Sequence, residues 1–359
     1  YSGGGDNFRR VRKERDVGSV LQAQGDMALI GEQSVYAKAA QISSANGRVQ
    51  VASKGDVTIT AGLAVDEEES KSKSKKRRRL GTSKKTTETY HYRYDETALS
   101  SVITGPSVSV MGRNVDVKAS HVWGKEDVLI QGKGRVTIEG GLEEHRQAYA
   151  HSVKKSGLSS RIKHGIVDVN LGQRKQGGDS KGSEQQVAVS SVNAARGNVV
   201  IKANEALSIN GSNVTAGKDI ALAGSEIKLG AMYSHGEHAQ HHYAKSSGIG
   251  VSVSLIPLLA GWQAAKDHYK ANQRSGKSVL GKITTLSDAG YEGIERSLKP
   301  VTFAVGTKSQ SSQQQSSTDN AAVSQLQAGG NVRLYATAGG IVSEGADIRA
   351  EGNFSALAK

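Results

Sequence analysis

The sequence predicts an all-β chain, a parallel β-helix from which hairpin and helical inserts protrude, and three observations carry that prediction. The first is self-similarity. Four cassettes begin SVLQAQGDMALIG at Ser19, SVITGPSVSVMG at Ser101, SVNAARGNVVIKA at Ser191 and SQLQAGGNVRLYA at Ser324. The second is a period of two within each cassette, as in Gly55-Asp56-Val57-Thr58-Ile59-Thr60 and Gly217-Lys218-Asp219-Ile220-Ala221-Leu222. Such alternation marks a short strand with one buried face. The third is spacing. Met27 to Val49 is 22 residues, Val108 to Val128 is 20, Val199 to Ile220 is 21 and Val332 to Phe354 is 22. Strands this short do not hold alone. A coil of roughly 20 residues that returns to the same place stacks each strand on the one below it.

Composition agrees. There are 43 glycines, 3 prolines, 3 Phe, 2 Trp and no cysteine in 359 residues. Glycine without a three-residue period and almost without proline excludes a collagen. Zero cysteines exclude a disulfide scaffold and a zinc ribbon. The core must then be built from small and β-branched side chains, which are the ones that fit inside stacked coils. Leucine-rich repeats share the period but need an L-x-x-L-x-L frame and an asparagine ladder, and neither is evident. A β-sandwich is the plainer alternative. Glycine beside Asn, Asp or Lys ahead of each strand is expected to supply the positive φ of a tight turn. Absence of cysteine fits a chain exported unfolded, and a start at Tyr1 suggests a piece of a longer protein.

Matching positions Met27, Val108, Val199 and Val332 lie 81, 91 and 133 residues apart, so a constant cassette is interrupted by inserts of variable length. The expected order is a linker over 1–16, cassettes over 17–62, 98–141, 187–231 and 322–359, a charged insert over 63–97, a hairpin insert over 142–186, and a hairpin plus helical insert over 232–321. The net charge is +13, yet much of it sits in residues 71–85, which hold no acidic residue. Lys75, Lys76, Arg77, Arg78 and Arg79 are therefore the candidate contact for an anionic partner. A solvated loop, or a hairpin in which the run pairs with the acidic Asp66-Glu67-Glu68-Glu69, is the alternative. Residues 248–265 are apolar and uncharged, interrupted by Gly250, Pro257 and Gly261. Helices are expected over 258–276 and 286–298, and Leu255, Ile256, Leu258, Leu259 and Trp262 are the candidate membrane contact. The tract at 311–320, SSQQQSSTDN, reads as a flexible return to the last cassette.

Catalytic signals are weak. His235, His238, His241 and His242 lack a nearby carboxylate set beyond Glu237, so no metal is expected. Gly178-Asp179-Ser180-Lys181-Gly182 fits G-x-S-x-G, but its polar flanks are not the strand and helix of a nucleophile elbow, and Ser180 reads as loop. Gly276-Lys277-Ser278 lacks the first glycine of a phosphate loop. No recurring Asp/Arg strip marks a carbohydrate-active β-helix. Neither an enzymatic activity, a cofactor, a stable small-molecule ligand nor a nucleic-acid partner is expected.

The segments GDVTITAG, AGKDIALAGSEIKLGA and AGGNVRLYATAGGIVSEGADIRAEG, with the inserts YAHSVKKSGLSS and YAKSSGIGVSVS, resemble the haemagglutinin repeats of filamentous haemagglutinin-type exoproteins. More narrowly they resemble the distal repeat region of the CdiA contact-dependent growth inhibition family. The resemblance covers about 17–359. It implies a right-handed parallel β-helix, secretion through an outer-membrane transporter of the two-partner type, and display on a Gram-negative surface. It further implies contact with a target-cell receptor or outer membrane during delivery of a C-terminal toxin. An adhesin that binds surface glycans or proteins is the alternative, and a β-helical carbohydrate-active enzyme the second.

Overall fold

The computed structural model describes residues 2–4, 7–77, 83–163, 166–254 and 301–359. A short pair, β1 (Ser2–Gly4) and β2 (Asn7–Arg15), precedes the first coil. Coil one is β3 (Val20–Ala23), β4 (Met27–Gly31) and β5 (Ser34–Lys38), and coil two is β6 (Gln41–Ser44), β7 (Val49–Ser53) and β8 (Asp56–Thr60). A long hairpin follows, β9 (Gly62–Arg77) and β10 (Ser83–Leu99). Coils three and four are β11 (Val102–Gly105), β12 (Val108–Gly112), β13 (Val115–Lys118), β14 (His121–Gly124), β15 (Val128–Gly132) and β16 (Val136–Glu139). A second hairpin is β17 (Gly141–Lys163) and β18 (Ile166–Ala188). Coil five is β19 (Ser190–Ala194), β20 (Val199–Ala203) and β21 (Ala206–Asn210), and coil six begins with β22 (Ser212–Ala216) and β23 (Ile220–Gly224). The last strand of coil six runs straight outward as β24 (Glu226–Ser254), and β25 (Val301–Ala328) returns to open coil seven. The chain closes with β26 (Val332–Ala336), β27 (Ile341–Glu344), β28 (Ala346–Ala350) and β29 (Phe354–Ala358).

Each coil strand pairs in parallel with its counterpart in the adjoining coils, on both sides within the stack and on one side at its two ends. The middle strands form one eight-stranded parallel sheet in the order β29-β26-β23-β20-β15-β12-β7-β4. All four spacings read from the sequence are register pairs: Met27 with Val49, Val108 with Val128, Val199 with Ile220, and Val332 with Phe354. The fold is a parallel β-helix. Its interior is a set of ladders. Val51, Val110, Ile130, Ile201, Leu222 and Leu334 stack in one column, none more than 3% exposed. Burying each such side chain contributes about 1.5–3 kcal/mol.

Two polar ladders pin the corners. Ser101, Ser120, Ser190, Ser212 and Ser324 occupy one column and are fully buried. Their hydroxyls donate to corner carbonyls that already accept one backbone N–H, Ser190 to Glu139 at 2.6 Å and Ser324 to Gly230 at 2.6 Å. The third cassette is out of step by one residue here. Ser190 takes the inward place, and Ser191, with which that cassette begins, faces outward toward His121 and Trp123. A one-residue shift inverts every face in a strand.

The second ladder stands just ahead of the middle strands and mixes carboxylates with carboxamides. Asp127 accepts from the backbone and side chain of Asn198, and Asn198 accepts from the Asp219 N–H. Asp219 accepts from Asn331, and Asn331 from the Asn353 N–H. The ladder alternates Asp and Asn, so it is not legible as a repeated asparagine. The turn glycines also have a different reason from the one expected. Positive φ is confined, among the described residues, to Ala39, Ala119, Gly157, Gly211 and Gly345. Gly55 and Gly217 are needed for close stacking: a Cβ on Gly55 would lie 1.8 Å from the Gln33 carbonyl oxygen, and one on Gly217 would lie 2.4 Å from that of Ala195.

The left-handed corners expose the plan of the molecule. Ala39, Ala119, Gly211 and Gly345 close coils one, three, five and seven. At the same corner of coils two, four and six the chain instead runs out into a hairpin. Neighbouring strands lie about 4.8 Å apart. Two coils therefore advance roughly 10 Å, the width that one two-stranded hairpin fills. The hairpins accordingly merge into one antiparallel sheet, β1-β2-β9-β10-β17-β18-β24-β25. We call this sheet the fin.

The fin changes several expectations. Asn7–Arg15, expected within a linker, is a strand paired with β9. The tract at 311–320 is strand rather than flexible return, because each residue pairs with β24 backbone from Tyr243 to Ser234. The helices expected over 258–276 and 286–298, with the candidate contacts Leu255, Ile256, Leu258, Leu259 and Trp262, lie outside the described residues.

Candidate functional site

The fin is the part of the molecule with side chains to spare. Coil strands spend one face on the core, whereas both faces of the fin are side-chain surface. In an antiparallel sheet, residues directly opposite share a face, so the register sorts the fin into rows.

Near the helix the rows are mixed in charge and mutually satisfied. The acidic block Asp66–Glu69 lies opposite Tyr92–Asp95 on one side and Arg10–Lys13 on the other. Its cations come from β2: Arg9 to Glu68 at 2.7 Å, Arg10 to Glu69 at 3.4 Å and Lys13 to Asp66 at 2.8 Å. Tyr90 donates to Glu69 and Tyr92 to Glu67. Partial burial, then those carboxylates, push both phenols above their ordinary value. The Tyr94 hydroxyl donates to Glu96 at 2.7 Å, which with burial pushes it up to about 12. Its ring lies under the Arg146 guanidinium at 5.2 Å, and Arg146 in turn grips Glu144 and holds that carboxylate below its usual range. These pairs are largely exposed, so each contributes little alone. Together they fasten β2 and set the strand order.

Thus the acidic block does not neutralise the basic run across the hairpin. Lys75, Lys76 and Arg77 are strand residues opposite Thr86, Lys85 and Lys84, while Arg78 and Arg79 lie outside the described residues. The row through Lys76 continues to Lys85, Lys155, Arg174, Ser246 and Lys308. The five cations share a face and are exposed, and none has an ion-pair partner among the described residues. Only the short run 75–79 was legible beforehand. Lys85 closes the same basic stretch, 71–85, but Lys155, Arg174 and Lys308 lie in the other inserts, and register alone aligns them with it.

The remaining motifs resolve as structure. Ser180 sits mid-strand in β18, between Tyr149 and Gln240, with no sharp turn around it. The glycines beside it make room for rings: a Cβ on Gly177 would meet the Tyr243 hydroxyl at 2.8 Å and one on Gly178 the His242 Nδ1 at 2.5 Å. The four β24 histidines divide between the two faces and do not converge, and no group able to hold a metal occurs among the described residues. His241 contacts Asp179 at 3.2 Å. His235 lies between Asp319 at 2.5 Å and Glu237 at 3.2 Å, hydrogen bonds that raise its pKa above the ordinary 6.5. In an NMR titration His235 is expected to protonate above the ordinary histidine range, and Asp319→Asn to return it toward that range. The raised value means the pair's contribution is complete below the unfolded pKa and is lost as pH rises through the folded one.

The family model described as hemagglutinin repeat matches residues 171–288 and 305–359. The chain is 26% identical over 340 residues to the tRNA nuclease CdiA of Escherichia coli (strain STEC_O31), a match covering 87% of this chain and 10% of that protein. It is 26% identical to the toxin CdiA of Yersinia pestis, over 71% of this chain and 8% of the relative. It is 26% identical to the 16S rRNA endonuclease CdiA of Enterobacter cloacae, over 84% and 10%. The chain spans about a tenth of the length of these relatives. No solved structure matches it. With its stacked parallel coils and an insert at one corner of every second coil, this chain is similar to CdiA proteins through coils and inserts alike, and its second half matches the haemagglutinin repeat.

Proposed function

We propose that this chain is a β-helical delivery segment of a secreted exoprotein, held at the surface of a Gram-negative cell. It leaves the cell through an outer-membrane transporter of the two-partner type and supports transfer of a C-terminal toxin into a neighbouring bacterium. It performs no catalysis itself. The observation that carries this reading is the extent of the likeness to CdiA toxins, which covers 87% of the chain and so includes the inserts as well as the coils. The coils give length and stiffness, because each contacts only its neighbours in a continuous ladder. The fin adds a second surface along the same axis. Absence of cysteine suits export before folding.

The test separates stalk from fin. In the full-length exoprotein, each hairpin is replaced by a left-handed corner like that at Gly211, leaving the coils continuous. Surface display, read by antibody on intact cells, is expected to persist, and growth inhibition of target cells to be lost. Undiminished inhibition by the finless protein would overturn the delivery role of this segment.

A further inference from the structure

The outward side of the strand that opens each coil differs from the rest of the surface. From coil three to coil seven its side chains form two rows. One is Val102, His121, Ser191, Asn213 and Gln325, and the other is Thr104, Trp123, Asn193, Thr215 and Gln327. Neither row holds an Asp, Glu, Lys or Arg. Charge lies at the margins, at Asp347 and Arg349 of coil eight and at Lys125, Glu126 and Arg196 in the flanking turns. The third strands, by contrast, carry Asp116, Lys118, Glu139 and Lys228 on their outward side. Thr104, Asn193, Asn213, Thr215, Gln325 and Gln327 make no side-chain hydrogen bond among the described residues. Their hydroxyls and carboxamides are unspent donors and acceptors, repeated from strand to strand at about 4.8 Å.

One large ring stands in this polar field. Trp123 is 45% exposed. Its Nε1 donates to Ser191 Oγ at 2.8 Å, and the same oxygen lies 2.7 Å from His121 Nδ1. The His121 and Trp123 ring centres are 5.4 Å apart. Burial pushes the His121 pKa below its ordinary value, so the imidazole stays neutral and its Nδ1 accepts from the Ser191 hydroxyl. The one-residue shift that turns Ser191 outward thus supplies the hydroxyl that holds both rings. An indole fixed at its only polar atom and still half exposed presents a rigid aromatic surface to solvent. Thr104 and Asn193 flank it on the two neighbouring strands.

A charged polymer finds no counter-charge on these rows. An amphipathic peptide helix finds no apolar groove, because beyond Val102 and Trp123 the rows are polar. What matches is a chain of uncharged sugar rings. Their C–H faces pack on the negative face of an indole, and their hydroxyls bond to carboxamides and hydroxyls beside it. In an extended, equatorially linked chain each pyranose ring advances by nearly one strand spacing, so successive rings meet successive coils. We propose that this face binds an uncharged, equatorially linked polysaccharide lying along the helix axis, with one ring on Trp123 and the next on Thr104 and Asn193. The site goes beyond the delivery reading and does not depend on the fin.

The experiment is calorimetric titration of the purified chain with cellohexaose, mannohexaose and N-acetylchitohexaose, and with maltohexaose, whose linkage is axial. Binding is expected to at least one of the first three and more weakly, or not at all, to maltohexaose. Affinity should be the same at low and high salt, because neither side carries charge. In a Trp262→Phe background Trp123 is the one tryptophan left, and its fluorescence should move to shorter wavelength as sugar displaces water. Trp123→Ala is expected to lose about 10-fold or more in affinity, and Asn193→Ala a few-fold. Trp123→Phe should keep most of the affinity, and Thr137→Ala, on the outward side of a third strand, all of it. Unchanged far-ultraviolet dichroism and melting establish that each variant is folded. No binding of the three equatorially linked sugars, equal binding of maltohexaose, or affinity lost at high salt would overturn the proposal. So would full affinity in folded Trp123→Ala and Asn193→Ala proteins. Trp123-dependent self-association in sedimentation, without sugar binding, would make the face a contact between copies and overturn it too. None of these outcomes bears on the growth-inhibition assay of the finless protein.

Discussion

Ile201→Asp is expected to abolish the coils around it rather than to weaken them. Ile201 is wholly buried in β20, stacked between Ile130 below and Leu222 above. Truncation to alanine alone costs about 2–5 kcal/mol through lost burial and the cavity left behind. A carboxylate adds the penalty of an unpaired buried charge, and the surrounding ladder is apolar on every side. The total approaches the whole stability of an ordinary domain, about 5–15 kcal/mol. In a solenoid the damage is local first, because each coil is held by its neighbours. Hydrogen exchange should therefore accelerate in β15, β20 and β23 before it does so in distant coils, and the urea midpoint should fall. The adjacent Lys202 points outward and is exposed. Lys202→Asp should change stability by no more than about 0.5 kcal/mol. Equal effects at the two positions would refute the inside-outside alternation on which the fold rests.

The buried serines come next in size. Ser190 accepts the Ser120 N–H at 3.1 Å and donates to the Glu139 carbonyl at 2.6 Å, with no exposure. Ser190→Ala removes both bonds. The Glu139 carbonyl keeps the Ala119 N–H at 3.0 Å, but the Ser120 N–H loses its partner inside the corner. An orphaned buried donor costs about 1–3 kcal/mol. Ser109, on the outer side of β12, provides the contrast, and its replacement by alanine should cost less than about 0.5 kcal/mol. Urea unfolding of the two variants measures the difference. A Ser190→Ala protein as stable as the parent would show that water reaches this corner.

The coils were legible because their cause is local and repeated. Period-two alternation fixes which face is buried, and a return every 20–22 residues fixes what stacks on what, so four register pairs follow from spacing alone. The cassette starts were less secure. Turn lengths differ by a residue or two, and Ser190 rather than Ser191 entered the serine column as a result. The Asp127–Asn198–Asp219–Asn331 ladder escaped notice because hydrogen bonding accepts either Asp or Asn as the acceptor, and only position in the stack makes them equivalent. Left-handed Ala39 and Ala119 carry no sequence signal at all.

Amino-acid order by itself determined that this chain winds into stacked coils with a β-branched core, because burial alternates along each strand and repeats from coil to coil. Only the tertiary structure decided what the inserts become. A hairpin cannot pair with a neighbour some 60 residues away until the coils have set its height, and the match between two coil rises and one hairpin width is a property of packing. From that match come the single fin, the strand nature of 311–320, and the alignment of Lys85, Lys155 and Arg174 in one row.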